Sequence, residues 1–324
     1  MRLLVAIPCL NEAATVGDVI SAVPRKIRGI DQVVVLVVDD GSTDNTVAAA
    51  ITAQARVVSH GYNRGVGAAF QTALATAISE GFDVMVNVDA DGQFDPADIP
   101  TLVEPVALGD ADFVTASRFA DPALVPVMPI VKKWGNHGMA LLVGCLSGRR
   151  FKDVSCGFRA YSREAMLNLN LTGRFTYTQE SFIDLSFKQL RILEVPVRVR
   201  YFPGRRSRVA GSIPRYAVKT LSIILRAYRD FRPLVFFWSI AAVFILAGLG
   251  ISSILVYHRV TTGIFSGQIW SGFLGGALLL TGLVFGLVGM TTDMLDRIRV
   301  NQERILYHLK RISSDAVQRR RGDG

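Results

Sequence analysis

The sequence predicts an α/β domain built on a mostly parallel sheet, followed by two helices that cross a membrane. Over the first 117 residues, short apolar runs alternate with segments of helical periodicity. This alternation is typical of parallel sheets whose strands are joined by helices. Two later stretches, 233–257 and 269–292, carry no charged residue and exceed the roughly 20 residues that cross a bilayer. The remaining chain is long enough for a large folded core.

The expected strands and helices follow one another in a regular order. Strands are predicted at 3–7, 33–38, 56–60, 82–88 and 112–117. Helices are predicted near 13–23, 43–53, 65–79 and 96–108. The pattern over 119–212 is less regular, with a helix expected at 132–146 and a strand at 192–202. Polar motifs follow the first, second and fourth strands, so a ligand site is expected where these strands end.

The composition indicates a membrane-attached protein in a reducing compartment. Half of the residues are hydrophobic and the net charge is +9, and both features are concentrated toward the C-terminal third. Cys9, Cys145 and Cys156 are odd in number and form no CxxC pair, which argues against a disulfide framework or a zinc site. The four histidines are not spaced as metal ligands. We expect the membrane, and no nucleic acid, as a partner.

Charge and hydropathy divide the chain into four parts. These are a domain at 1–212, an amphipathic interface helix at 213–232, the two spans within 233–292, and a basic tail helix at 293–324. An ordinary surface helix is the alternative for 213–232. The tail is expected to end in disorder at QRRRGDG. By the positive-inside rule the N-terminal domain and both termini are cytoplasmic, because arginines flank the spans at Arg226, Arg229, Arg232, Arg297, Arg299 and Arg304.

The motif VDADGQ, residues 88–93, places two carboxylates directly after a buried strand. An ordinary acidic turn is one interpretation. A divalent cation between the carboxylates explains the motif better, because Mg²⁺ and Mn²⁺ take oxygen ligands, need only one or two protein carboxylates, and leave room for substrate phosphates. The predicted metal ligands are Asp89, Asp91 and Gln93, and one of the two aspartates could instead contact ribose or a metal-bound water.

The motif DDGSTDNT, residues 39–46, follows the second strand. Helix capping and a turn account for residues 42–45. They do not account for the adjacent carboxylates Asp39 and Asp40, whose burial would raise their pKa unless hydrogen-bond donors are supplied. A nucleotide base and ribose offer such donors. The stretch NRGVGAA places Arg64 at a helix start, where it could contact a phosphate.

These motifs occur in an order and spacing that resemble a known enzyme family. IPCLNE, VVDDGSTDNT, NRGVGAA, DADGQFDP and ASRF resemble the family 2 glycosyltransferases, inverting nucleotide-sugar enzymes with the GT-A fold. DVSCGFRAY, FTYTQESFIDL and GRRSRVAGS, followed by two spans, are similar to the polyisoprenyl-phosphate glycosyltransferases, which include dolichol-phosphate mannose synthase. The resemblance covers nearly the whole chain.

The resemblance implies transfer of one sugar from a nucleotide-sugar, with a UDP-sugar favoured, to a polyisoprenyl phosphate at the cytoplasmic face of the bacterial plasma membrane. It assigns the nucleotide-sugar to Pro8, Asn11, Glu12, Asp40, Arg64 and Asp89. It assigns catalytic roles to Asp91, Asp153 and Arg159, and the acceptor phosphate to Arg118, Lys132, Arg205, Arg206 and Arg208. Many relatives have Lys where this chain has Arg208, which keeps the charge but changes its geometry. Association of several copies is left open.

Two other functions remain as alternatives. Processive polysaccharide synthases and ceramide-type glucosyltransferases resemble the first hundred residues, but they usually carry Gln-x-x-Arg-Trp. None of Trp134, Trp238 and Trp270 has that context. A non-catalytic membrane-tethered scaffold is an alternative of another class, and turnover of a nucleotide-sugar would exclude it.

Overall fold

The computed structural model describes residues 1–126, 128, 130–171, 177–200, 218, 221–222, 225–226 and 228–322. The chain forms two compact units. The first comprises Met1–Thr220 with Ile305–Gly324, and the second comprises Leu221–Arg304. The first unit holds the sheet, and the second holds most of the apolar helices.

The described strands form one seven-stranded sheet in the order β3-β2-β1-β4-β6-β5-β7. The strands are β1 (Arg2–Cys9), β2 (Gln32–Asp39), β3 (Arg56–Ser59), β4 (Val84–Asn87), β5 (Phe113–Ser117), β6 (Arg159–Ser162) and β7 (Ile192–Pro196). β6 runs antiparallel to both of its neighbours, and the other pairs are parallel. Runs of Val, Ile and Leu make β1, β2 and β4 central strands, since such side chains suit a sheet covered on both faces.

Helices cover both faces of the sheet and complete the core. They are α1 (Val16–Ser21), α2 (Thr46–Thr52), α3 (Val66–Ser79), α4 (Ile99–Ala107), α5 (Ile130–Ser147), α6 (Arg163–Asn168) and α7 (Thr178–Phe187), with short 3₁₀ turns at Pro96–Asp98 and Pro122–Leu124. One buried cluster joins β1, β2 and β4 to α1 and α4. The predicted α/β class with a mostly parallel sheet is confirmed.

Some local predictions were wrong or incomplete. β6, α6 and α7 were not predicted, and β7 ends at Pro196. The last helix continues to Gly322, so disorder does not begin at the start of QRRRGDG. Much of the expected interface helix at 213–232 lies outside the described residues, and its described positions before Arg232 are helical. The boundaries predicted for the four parts stay predictions.

Two long apolar helices follow, α8 (Pro233–Thr262) and α9 (Ile269–Gly322), and both are candidate membrane spans. Glycines of α9 lie directly against α8. A Cβ atom on Gly275 would clash with Ser252 and lie 2.9 Å from the Gly248 carbonyl oxygen, and one on Gly282 would lie 3.0 Å from the Ala241 carbonyl oxygen. The two helices therefore pack through small residues, as membrane helices commonly do.

Replacing Gly275 by leucine should separate α8 from α9, because the new side chain has only backbone and Ser252 to displace. Gly276 is the matched control, since a Cβ atom there meets nothing within 4 Å. We expect Gly275→Leu to lower the free energy of unfolding by about 1–3 kcal/mol, the usual cost of overpacking, while Gly276→Leu changes it little. Thermal unfolding in detergent measures both variants, and equal melting temperatures would contradict the packing.

The end of α9, from Ile305 onward, belongs to the first unit and packs within it through one polar face. Lys310 Nζ donates to the Leu169 carbonyl oxygen at 2.8 Å and to Asn170 Oδ1 at 2.9 Å. The Arg163 guanidinium donates to Ser314 Oγ at 3.1 Å, and Ser314 is fully buried. Further contacts on the same face are those of Tyr307 with Glu164, Asp315 with Arg163, and Gln318 with Asp83.

Candidate active site

The acidic motif VDADGQ, residues 88–93, lies at the carboxyl end of β4, the central strand of the sheet. We call this segment the acidic turn. Asp89 and Asp91 follow Asn87, the last residue of that strand. Antiparallel β6 starts at the same edge, because Arg159 is paired with Asn87. The segment leading into β6 therefore passes beside the acidic turn. A Cβ atom on Gly157 would lie 2.8 Å from Asp89 Oδ2, so only glycine fits there without moving the carboxylate.

The negative charge of this turn is only partly compensated by the chain. Burial and the charge of Asp91 raise the pKa of Asp89 to about 7, while the Arg159 guanidinium acts in the opposite direction. Asp91 Oδ1 accepts a hydrogen bond from the backbone amide of Gln93 at 3.0 Å. The Gln93 carbonyl oxygen accepts one from the Arg200 amide at 2.8 Å. The turn is therefore held in place while its two carboxylates repel each other.

The donor set of this turn fits Mg²⁺ or Mn²⁺. Asp89, Asp91 and Gln93 offer two carboxylates and an amide oxygen, the ligand type these ions prefer. Within the described part of the chain, His, Cys, Asp and Glu form no cluster of three or more suited to a metal. A cation held here would keep positions for water and substrate phosphates, and its charge would offset the repulsion between the carboxylates.

A buried polar wall supports the back of the acidic turn. Asn87 Nδ2 donates to Tyr177 Oη at 2.7 Å and to the Gly157 carbonyl oxygen at 3.2 Å. The Tyr177 ring stacks on Phe70 of α3 with ring centroids 4.2 Å apart. None of these residues was predicted to be a site residue. The only available signal was that Gly157 and Tyr177 fall within the motifs DVSCGFRAY and FTYTQESFIDL.

The loops after β1 and β2 are tied to each other by side chains of DDGSTDNT. The backbone amide of Asn11 donates to Ser42 Oγ at 2.9 Å, and the backbone amide of Glu12 donates to Thr46 Oγ1 at 2.8 Å. In return, the Thr43 amide donates to Asn11 Oδ1 at 2.8 Å. Asn11 has a left-handed backbone (φ 52°), which asparagine tolerates better than most residues. The hydroxyls of the motif thus shape the neighbouring loop, which goes beyond the capping predicted for them.

The carboxylate of Asp40 is satisfied by the chain itself. It accepts hydrogen bonds from the backbone amides of Arg64 and Gly65 at 2.9 and 2.8 Å, and it pairs with His60 Nδ1 at 2.9 Å. Asp40 therefore anchors the loop before α3 at the carboxyl edge of the sheet. The Arg64 side chain is exposed there. Contacts of the nucleotide with Pro8, Glu12, Asp40 and Arg64 stay predictions.

Asp39 also finds its donors within the chain. Burial favours its neutral form, but hydrogen bonds from Ser42 and Ser59 outweigh burial and lower the pKa of Asp39 below its usual value. The Ser42 amide donates to Oδ1 at 2.9 Å, and Ser59 Oγ donates to Oδ2 at 2.6 Å. A base and ribose are thus not needed to explain the adjacent carboxylates.

Arg118 and Asp153 form a buried ion pair. Arg118 Nε and Nη2 donate to the two carboxylate oxygens of Asp153 at 2.6 and 2.8 Å, and Nη2 also donates to Ser155 Oγ at 2.6 Å. Asp153 is fully buried. Burial favours its neutral form, but the hydrogen bonds and charge of Arg118 lower the pKa of Asp153. The charge that Arg118 would offer an acceptor phosphate is therefore already balanced.

Arg159 lies wholly inside the protein. Its Nη1 donates to the Thr178 carbonyl oxygen and to Ser181 Oγ, both at 2.7 Å, and its Nη2 donates to the Val154 carbonyl oxygen at 3.0 Å. The guanidinium lies 4.7 Å from the centroid of the Phe182 ring. This position suits an electrostatic role behind the acidic turn. A direct role of Arg159 at the reacting centre stays a prediction.

The structure describes only part of the predicted acceptor site. Lys132 lies in α5, and its side chain is outside the described residues. Arg205, Arg206 and Arg208 also lie outside the described residues.

Comparison with known proteins identifies the family. The family model of "Glycosyl transferase family 2" matches residues 4–169. The chain belongs to this family. It is 30% identical over 215 residues to a Methanococcus voltae UDP-N-acetylglucosamine–dolichyl-phosphate N-acetylglucosaminyltransferase, covering 60% of this chain and 84% of the relative. It is 29% identical over 231 residues to the undecaprenyl-phosphate mannosyltransferase of Micrococcus luteus, covering 67% of this chain and 91% of the relative.

The fold also matches solved structures of this enzyme class. Glucosyl-3-phosphoglycerate synthase from Mycobacterium tuberculosis, in complex with UDP, has a TM-score of 0.56 and 25% identity. The match covers 70% of this chain and 80% of that one. A second structure of the same enzyme contains Mn²⁺, UDP and glucosyl-3-phosphoglycerate, with a TM-score of 0.53 and 26% identity. The predicted GT-A fold is thereby confirmed, and the protein is a glycosyltransferase.

Proposed function

We propose that this family 2 glycosyltransferase moves one sugar from a UDP-sugar to a polyisoprenyl phosphate, with inversion at the anomeric carbon. The acidic turn at the end of β4 carries the proposal, because its two carboxylates and amide oxygen suit a cation that binds the donor diphosphate. The names of the two relatives, which act on dolichyl and undecaprenyl phosphate, support the acceptor class. The two apolar helices support attachment to the membrane in which such a lipid resides.

The reaction is a single displacement. An oxygen of the lipid phosphate attacks the anomeric carbon, the bond from that carbon to the donor diphosphate breaks, and the nucleoside diphosphate leaves with the bonding electrons. Mg²⁺ or Mn²⁺, when bound, neutralises the charge that develops on the leaving diphosphate. Because the attacking phosphate is already an anion near neutral pH, the chain needs no strong general base. Catalysis then rests on positioning and electrostatics.

The residues of the chain divide this task. Asp89, Asp91 and Gln93 would hold the cation, and Gly157 of the buried polar wall lies against the carboxylate of Asp89. The cross-tied loops after β1 and β2 form a rigid edge on which Pro8, Asn11 and Glu12 would meet the nucleotide. The arginines around the spans support a cytoplasmic location of the catalytic domain and both termini. The assignment to the plasma membrane of a bacterium rests on the family resemblance.

The donor and acceptor are tested together in one assay. Purified protein is incubated with a panel of radiolabelled UDP- and GDP-sugars and a polyprenyl phosphate, with Mg²⁺, with Mn²⁺ or with EDTA. We expect one UDP-sugar to label the lipid phase with a single sugar, and EDTA to prevent it. A polymeric product would favour a processive synthase. If no nucleotide-sugar is turned over with any polyprenyl phosphate, the proposal fails.

Metal binding should depend on pH through Asp89. Because a proton and a cation compete for a carboxylate whose pKa is about 7, affinity for Mn²⁺ should fall about tenfold per pH unit below pH 7 and level off above it. Calorimetric titration of Mn²⁺ in the presence of UDP, from pH 5.5 to 8, measures this dependence. Asp89→Asn is the control, since it should bind Mn²⁺ weakly at every pH. Equal affinity of the native protein at both ends of the range contradicts the assignment of Asp89.

The acceptor phosphate is assigned to the basic segment before the apolar helices. Replacing Arg208 by alanine should raise KM for polyprenyl phosphate or lower kcat about tenfold, because a charge-assisted hydrogen bond contributes about 1.5–3 kcal/mol. The KM for the nucleotide-sugar should stay unchanged. Arg28, whose side chain is 88% exposed, provides the control variant. If single alanine variants of Arg205, Arg206 and Arg208 all match the native enzyme, the phosphate is bound elsewhere.

A further inference from the structure

His60 is a buried histidine that the proposed mechanism leaves without a role. Its side chain is 4% exposed, and that of its partner Asp40 is 6% exposed. Each ring nitrogen makes one contact. Nδ1 lies 2.9 Å from Asp40 Oδ1, and Nε2 lies 2.9 Å from Oγ1 of Thr72 in α3. The histidine therefore connects the residue that follows β2 to α3.

Asp40, His60 and Thr72 line up as acid, base and hydroxyl, which is the arrangement of a hydrolase triad. Their surroundings do not serve that chemistry. The Thr72 hydroxyl donates to the Ala68 carbonyl oxygen at 3.1 Å within α3, and the chain encloses the ring, so no substrate reaches it. The same hydroxyl can accept from a protonated ring or donate to a neutral one. His60 therefore holds Asp40 in either charge state.

Asp40 passes this constraint to the loop of residues 61–65. The backbone amide of Arg64 donates to Asp40 Oδ1 at 2.9 Å, and that of Gly65 donates to Oδ2 at 2.8 Å. Because His60 fixes the orientation of the carboxylate, it also fixes where these two amides lie. The loop rests on Gly41 as well, where a Cβ atom would lie 2.5 Å from the backbone of Tyr62. The chain itself thus determines the path of the loop.

The loop carries Arg64 at the carboxyl edge of the sheet, where the nucleotide-sugar is proposed to bind. The Arg64 side chain is exposed, and its guanidinium makes no hydrogen bond or ion pair with any residue that the structure describes. An arginine binds phosphate through paired N–H groups, and a fixed backbone lowers the cost of aiming them. This position of Arg64 therefore suits the phosphates of a nucleotide.

We propose that His60 is a positioning residue for the nucleotide-sugar. By fixing Asp40, it holds the loop of residues 61–65 so that Arg64 meets the phosphates of the donor. This inference rests on the proposed function, because it needs a nucleoside diphosphate at this edge of the sheet. It gives Asp40 an indirect part in donor binding, through the loop and not through contact with the base or ribose.

Two substitutions of His60 separate positioning from a purely structural role. The side-chain amide of asparagine places its NH₂ group near the position of Nδ1 and can still donate to Asp40. The amide of glutamine reaches the position of Nε2 and contacts Thr72 instead. Each variant keeps one of the two contacts, so both should unfold at a lower temperature than the native protein. Only the glutamine variant releases the carboxylate that holds the loop.

Calorimetric titration of the full-length protein in detergent with UDP and Mn²⁺ measures the difference. We expect His60→Gln to weaken UDP binding about tenfold, the effect of one charge-assisted hydrogen bond. His60→Asn should bind UDP as the native protein does. His308 is exposed in α9, and His308→Gln provides the control with native affinity. Native affinity of the His60→Gln variant, or an equal loss in the glutamine and asparagine variants, overturns the proposal.

A double-mutant cycle with Arg64 tests the path of the effect. In an Arg64→Ala background, His60→Gln should cause no further loss of UDP affinity, because the residue that it positions is gone. Uridine, which has no phosphate, should bind the native protein and the His60→Gln variant equally in an NMR titration. An undiminished loss in the Arg64→Ala background, or an equal loss for uridine, overturns the proposal.

These titrations measure binding without turnover, so the two proposals fail in different ways. A native protein that binds UDP, with a His60→Gln variant that binds it equally well, defeats only the role of His60. A native protein that binds no UDP defeats the proposed function as well.

Discussion

Replacement of Asp91 by alanine is expected to abolish sugar transfer while the fold stays intact. The carboxylate lies in a turn after β4, beyond the end of the strand, and accepts a hydrogen bond from the backbone amide of Gln93 in the same turn, so its removal should leave the core intact. Asp89 and Gln93 alone leave the cation with too few protein ligands. Charge neutralisation by the metal contributes several kcal/mol to the transition state, and its loss should lower kcat/KM by about 1000-fold or more.

The effect must be separated from a general loss of acidic charge. Asp110→Ala provides the control, because Asp110 is exposed in the loop before β5, at the opposite edge of the sheet. This variant should keep native activity, native Mn²⁺ affinity and a native melting temperature. The Asp91 variant should lose Mn²⁺ binding together with activity. An Asp91 variant with native turnover, or native turnover of the unmodified protein in excess EDTA, would remove the metal from the mechanism.

The sheet and the position of its site were largely predictable from the sequence. Runs such as VVVLVV form strands because branched apolar side chains suit a sheet covered on both faces, and parallel strands bring their carboxyl ends to one edge. The motifs after β1, β2 and β4 therefore had to meet. β6 escaped prediction because its four residues carry no alternating pattern. Only its pairing with β4 and β5, strands far away in the chain, identifies it.

The hydrogen-bond partners inside the site could not be predicted. Asp40 accepts hydrogen bonds from backbone amides 24 and 25 residues away along the chain. Which amides reach its carboxylate depends on how the loop before α3 folds back. A backbone amide is the same chemical group at every position except proline, so no residue type marks these donors in advance. From the sequence, the donors to Asp39 and Asp40 were therefore expected to come from a nucleotide.

Removal of the Arg118 side chain is expected to destabilise the catalytic domain strongly. Arg118→Ala would leave the carboxylate of Asp153 buried without its partner, and breaking a buried ion pair from one side costs about 3–5 kcal/mol. For a domain of this size that corresponds to a fall in melting temperature of roughly 6–20 °C. The loss should be smaller at low pH. The pKa of Asp153 is lowered in the native protein, so the pair stabilises the fold at neutral pH and ceases to do so as acid protonates Asp153.

The double variant Arg118→Ala with Asp153→Asn distinguishes an ion pair from an acceptor-binding arginine. If Arg118 acts through Asp153, neutralising the buried carboxylate should restore much of the lost stability, so the two substitutions will not be additive. The KM for polyprenyl phosphate of the double variant should then stay near the native value. If Arg118 instead binds the acceptor phosphate, the double variant should be stable but still show the raised KM. The two outcomes decide whether this arginine stabilises the segment before β6 or binds substrate, because both roles require the same charge but only one requires Asp153.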